Sequence, residues 1–122
     1  MLSKDQAAAR FRSWALALPG AVETPHFDRP SFRVAAPAKS PRGQPKPARI
    51  FATLWDDGRA CLMLTPEQQV KWEDGSRGFS AVPNKWGDAG ATLVVLSGAD
   101  AAKAAAMKAA LREAWGNAVR PN

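Results

Sequence analysis

The chain has one cysteine, one histidine and no tyrosine among its 122 residues. A single thiol excludes an intramolecular disulfide framework. Cys61 lies in the apolar run ACLMLT, where a small buried hydrophobe is the usual occupant. Zinc takes three or four Cys, His or carboxylate ligands, and His26 and Cys61 cannot supply an ordinary site, so no metal is expected. Neither GxxxxGK[ST] nor GxGxxG occurs, which removes the usual routes to nucleotide binding; no cofactor is expected. No apolar run reaches the length of a membrane span, and the first residues carry Lys4, Asp5, Arg10 and Arg12 where an export leader would be apolar. A cytoplasmic protein without membrane contact is the expectation.

What the chain does have is aromatic bulk and localised positive charge. Alanine supplies much of the hydrophobic fraction, so the five Trp and five Phe must carry most of the burial. The length suits a single domain, 1–122. Net charge is +6, and five cations with no acid fall between positions 33 and 49: Arg33, Lys39, Arg42, Lys46 and Arg49. A concentrated patch attracts phosphate polyanions or an acidic partner, whereas dispersed charge mainly aids solubility.

Ser3 and Gln6 fit a capping box, and Phe11, Trp14, Ala15 and Leu18 share one helical face, which predicts a helix from Lys4 to Leu18, stopped by Pro19-Gly20. From Val22 onward the period changes to short strand-like stretches bounded by Pro, Gly and Asp, with β-formers at Phe32 and Val34, then Ile50 to Trp55 and Arg59 to Leu64, the last two joined by the hairpin signal Asp56-Asp57-Gly58. The segment APAKSPRGQPKPAR has four prolines and reads as a long exposed loop between strands two and three. Thr65 and Gln68 cap a second helix, with Pro66 at its first position. The stretch SRGFSAVPNKWGDAG reads as irregular, ATLVVL as a covered strand, and Ser97 to Asp100 as the start of a last helix. That helix buries Ala104, Met107, Leu111 and Trp115 or Ala114, and Gly116 lies past its end. The order helix, four strands, helix, strand, helix belongs to the α+β class: a central antiparallel sheet of about five strands, helices at both chain ends and one short helix before the last strand.

Catalytic combinations are weak. His26 can be paired on paper with Ser31 or Cys61 and oriented by Asp28 or Glu23, but such triplets arise by chance. The plainer expectation puts His26 at a strand end, hydrogen-bonded to backbone and packed near Phe27. Asp56 and Asp57 read as turn residues. Trp14 and Trp115 fall on predicted buried helix faces. Trp55, Trp72 and Trp86 either close the edges of a small core or line a ligand groove or subunit contact. No catalytic residue is assigned and no small-molecule substrate is identifiable.

In order along the chain, LPGAVET, PHFDRPSFRV, ARIFATL, MLTPEQQ, NKWGDAGATLVVL and LREAWGNAVRP resemble the MmcQ/YjbR family of small bacterial proteins. The likeness rests on colinear spacing of individually weak motifs over nearly the whole chain. It implies an α+β fold with a central antiparallel sheet and helices at both ends. The family is commonly described as DNA-binding because its hairpins look like a pair of wings, and it carries no agreed catalytic residues. The basic, proline-rich loop looks longer here than is usual for it.

The leading expectation is therefore a non-enzymatic DNA-binding protein of low sequence specificity. Arg33, Lys39, Arg42, Lys46 and Arg49 would contact phosphates in a wing-like hairpin, with Lys85 a weaker candidate. The alternative is a protein-interaction or homodimerisation module using an exposed sheet face or the region of Trp55, Trp72 and Trp86. A pocket or enzyme centred on His26 ranks last.

Overall fold

The computed structural model describes residues 2–35, 48–74, 78–97 and 101–120. The predicted loop between strands two and three, with Lys39, Arg42 and Lys46, lies outside the described residues.

Helix α1 spans Lys4–Leu16. The Ser3 side chain accepts from the Gln6 amide and Gln6 Oε1 accepts from the Ser3 amide, at 3.1 and 2.9 Å, which satisfies two of the donors that a helix start leaves open. The helix ends two residues before the predicted Leu18, because the backbone tightens into turns, with Leu18 N–H donating to Ala15 O and Ala21 N–H to Leu18 O. Strands β1 (Val22–His26), β2 (Arg29–Ala35), β3 (Ala48–Leu54) and β4 (Arg59–Met63) follow. The β3–β4 turn is the predicted Asp56-Asp57-Gly58, in which Asp57 Oδ1 accepts from the Arg59 amide at 3.2 Å. Thr65 and Gln68 exchange the predicted capping bonds at the start of α2, Pro66–Asp74.

Next come β5 (Phe79–Ala81), α3 (Lys85–Asp88), β6 (Ala91–Val95) and α4 (Ala101–Val119). The stretch read as irregular thus holds a strand and a helical turn, and the sheet has six strands rather than about five. They run β1-β2-β3-β4-β6-β5, every neighbouring pair antiparallel. Gly116 lies inside α4 rather than beyond it; a glycine within a helix costs only about 1 kcal/mol against alanine. The carbonyls at that end are met by Arg49, whose Nη1 donates to Ala118 O at 3.3 Å and Arg120 O at 2.8 Å, where a cation also opposes the negative end of the helix dipole.

All the long helices pack on one face of the sheet. Phe11 and Ala15 of α1, with Met107, Ala110, Leu111, Ala114 and Ala118 of α4, bury Phe32, Val34, Phe51, Ala52, Leu54, Leu62, Val94 and Leu96. Trp14 and Trp115 are half-buried at the margins of this layer, because each indole body packs inward while its edge stays wet; Trp115 Nε1 donates to Pro19 O at 2.9 Å.

One irregularity sorts side chains between the two faces. Phe32 pairs with Ala52 but Arg33 pairs with Ile50, so Phe51 is an extra residue in β3. At such a bulge two successive residues point the same way. Phe51 and Ala52 both enter the helix-side core, and alternation then sends Arg49 to that side and Ile50 to the other.

Candidate functional site

Among the described residues the second face of the sheet carries no helix of comparable length, and it has an apolar cluster of its own. Buried Cys61, Val82, Ala91 and Leu93 pack with Trp55 and Met63. By register, Val22, Thr24 and His26 of β1 share this face with Arg29, Ser31 and Arg33 of β2. Thr53 and Ile50 of β3 and Arg59, Cys61 and Met63 of β4 continue it. No carboxylate occupies any of these strand positions.

A groove of ≈ 390 Å³ opens in the middle of this face, lined by Ile50, Cys61, Met63, Val82 and Ala91 below and by His26, Arg29, Trp55, Asn84 and Trp86 at its rim. Burial pushes the Cys61 thiol up to about 11, so it stays a neutral floor residue rather than a nucleophile. On the rim, the Arg29 guanidinium carbon lies 4.1 Å from the Trp55 ring centroid and that of Arg59 5.0 Å, cation–π contacts that hold both arginines against the indole. Trp55 is itself oriented by donation from Nε1 to Thr53 Oγ1 at 3.2 Å.

The cations differ in what neutralises them. Arg59 is bound by Asp57, with Nη2 2.6 Å from Oδ2, and that hydrogen bond holds the Asp57 carboxyl below its ordinary range. Among the described residues neither Arg29 nor Arg33 is in an ion pair. Arg33 Nε donates to Ser31 Oγ at 3.3 Å, and its Nη2 sits 3.5 Å from His26 Nδ1.

The far rim is built by close backbone packing. Asn84 caps α3, its Oδ1 accepting from the Trp86 amide at 2.9 Å. The buried Gln69 amide of α2 donates to Gly87 O and Ala91 O, each at 3.0 Å, and lies 3.2 Å from Thr92 Oγ1. A Cβ on Gly87 would lie 1.7 Å from Val82 O, and one on Gly90 2.0 Å from Leu64 O. The NKWGDAG segment is thereby clamped onto the sheet, and its two large side chains are left outside: Lys85 is exposed and Trp86 is 67% exposed.

No family model matches the chain, and no curated protein or solved structure matches it. What the site can do follows from its own side chains. Arg33 lies on the open face, and Lys85 stands between two residues of the groove rim. Arg49 is turned to the opposite side and engaged with α4, so the bulge separates it from Arg33. Lys39, Arg42 and Lys46 lie outside the described residues. His26 does line the groove, edge-on to Phe27 at 4.7 Å, and its contact is to the Arg33 side chain rather than to backbone. Asp28 lines neighbouring grooves instead, so the two do not converge. Among the described residues no three His, Cys, Asp or Glu side chains gather to hold a metal ion, and no helix is long and apolar enough to cross a membrane.

Arg29, Arg59 and Phe27 were not singled out by sequence. The period-two spacing of Arg29, Ser31 and Arg33 was the available signal, since it puts both arginines on one face of a strand. Phe27 is the first loop residue of the β1–β2 hairpin, with φ 57 and 92% exposure. Glycine or asparagine is the usual occupant of such a position, and a bulky side chain there is strained. Phe27→Gly is therefore expected to leave stability unchanged or raise it by up to ~1 kcal/mol, read from urea denaturation midpoints. A clear loss would assign Phe27 to the fold instead.

Proposed function

We propose that this chain is a non-enzymatic nucleic-acid-binding protein of a bacterial cytoplasm that seats DNA against the open face of its sheet with little sequence specificity. The observation that carries the reading is an open face with no carboxylate at its strand positions. Among the described residues Arg29 and Arg33 there are in no ion pair, and exposed Lys85 adjoins in sequence the rim residue Trp86. Unpaired cations over a low-dielectric floor attract phosphates and release their counterions. Trp55 braces Arg29, which reduces the ordering cost of a phosphate contact. In this reading Lys39, Arg42 and Lys46, outside the described residues, add phosphate contacts. The resemblance to the MmcQ/YjbR family agrees with it. Arg49 is omitted from the contact set because α4 holds its guanidinium.

Fluorescence titration at two or more salt concentrations tests the reading. Neutralising Arg29 and Arg33 together should reduce the slope of log affinity against log salt by about 1.8 on duplex DNA or about 1.4 on a single strand. Arg12→Ala, on the helix side and paired with Glu23 at 2.8 Å, should leave the slope unchanged. No binding at low salt, or an unaltered slope in the double variant, would overturn it.

A second reading, a homodimer through the same face, is favoured by the exposed apolar side chains of Val22, Val95 and Trp86 around the groove. Light scattering separates the two: a dimer held by more than about 1,000 Å² would persist at high salt, where DNA binding fades.

A further inference from the structure

We infer that the groove is a seat for an unpaired nucleobase, so that the protein selects single-stranded over duplex nucleic acid. This rests on the nucleic-acid reading above and adds what phosphate contacts leave unexplained. Cations on any surface neutralise phosphates; they do not call for an apolar depression between them.

The groove has the dimensions and lining of a small-ligand site. Its ≈ 390 Å³ falls near the lower end of the range for such pockets, which suits one flat heterocycle and not the edge of a base-paired duplex. Ile50, Met63, Val82 and Ala91 offer apolar contact from below. Trp86, 67% exposed, supplies an indole at the rim on which a base can stack. Opposite it stands the Arg29 guanidinium, held against Trp55, a planar cation on which bases also stack. Asn84 uses its Oδ1 for the Trp86 amide, which leaves its NH₂ group at the rim as a donor toward a base edge. Among the described residues Arg29, which lines the groove, and Arg33, which pairs with the floor residue Ile50, are in no ion pair, and both are complementary to the phosphates of such a strand.

The rest of the face favours a single strand too. Among the described residues no long helix projects from it to enter a major groove, and a broad sheet face, unlike a helix or a two-stranded ribbon, is too wide to enter one. A base reaches the floor only when it is out of its stack and unpaired, which a single strand offers at least cost. Phe27 stands at the hairpin tip beside His26, exposed and at a strained φ of 57, where it offers a second stacking surface for the neighbouring base. Every base has a π-face, so such a seat is tolerant of sequence.

The test compares three labelled probes of equal length by fluorescence anisotropy at one low salt concentration: oligothymidylate, oligouridylate and a blunt DNA duplex. Both single strands should bind more tightly than the duplex, and a difference between them would tell which sugar the site prefers. Trp86→Ala should weaken single-strand binding by about 5- to 150-fold and leave duplex binding unchanged, while Trp86→Phe should recover most of the loss. Because Trp86 is exposed, the thermal midpoints of both variants should match that of the wild type. Equal or tighter duplex binding, or a Trp86→Ala effect on single strands within about twofold, would overturn the base seat. In that event, a loss of binding on neutralising Arg29 and Arg33 would still carry the nucleic-acid reading. No binding of any probe would remove both.

Discussion

Gly90→Ala is expected to lower the unfolding free energy by at least ~3 kcal/mol, measured by urea denaturation followed through circular dichroism. Two independent costs meet at this residue. Its φ of +116 lies where L side chains rarely go, and an added Cβ would sit 2.0 Å from Leu64 O and 2.9 Å from Thr65 C. Both are backbone atoms, so no rotamer change relieves the contact, and either β4's end or the turn into β6 must move. That turn also aligns Ala91 O for the Gln69 amide and carries Trp86. Tryptophan emission should therefore shift even in conditions where the variant remains folded. Gly116→Ala makes the contrasting case, since nothing lies within 4 Å of its added Cβ. Inside α4 alanine is the better helix former, so this substitution should stabilise by about 0.5–1 kcal/mol. A Gly90→Ala protein of wild-type stability would show that the turn has slack.

Phe11→Ala should cost ~3–5 kcal/mol, read from the same denaturation curves. Phe11 is 1% exposed and meets Phe32, 0% exposed, edge to face with centroids 5.9 Å apart. This pair joins α1 to the middle of β2, the strand that carries Arg29 and Arg33 on its other side. Alanine removes the ring from a site enclosed by α1, α4 and the sheet, where collapse of the cavity is limited by alanines already in contact. Phe11→Leu keeps most of the volume and should lose less than about 1.5 kcal/mol. Against a total stability of about 5–15 kcal/mol for a domain, the alanine variant should be partly unfolded at moderate urea, where the leucine variant is not.

The helices and the antiparallel sheet were legible because their signals are local. Ser3 with Gln6, and Thr65 with Gln68, are reciprocal caps within four residues, and Asp56-Asp57-Gly58 marks a turn wherever it stands. β5 and α3 were missed because three and four residues are too few for either periodicity to register. Gly116-Asn117 imitates a helix stop; only tertiary structure shows the helix continuing, with Arg49 at its end and Asn117 donating to Met63 O at 3.1 Å. The groove was invisible for a different reason. Its residues come from β1 to β4, β6, α3 and the segment before it, and no window of sequence holds more than a few of them. The individual aromatics were visible, but not the surface that Trp55 and Trp86 share; Trp72, grouped with them by sequence, packs instead on the helix side, stacked on Phe79.

The extra residue at Phe51 has a consequence for how charge is divided in this molecule. Along β3, identity alone does not decide which solvent a side chain meets; the parity of its distance from the bulge does. Were β3 paired without the bulge, in strict alternation from Ala52, Phe51 would face the groove, Ile50 the helices and Arg49 the groove. The helix-side core would lose the Phe51 ring, the open face would gain a cation, and α4 would lose the partner of its last carbonyls. One bulge thus works as a sorting switch between a binding surface and a helix cap, with no change in composition on either side of it.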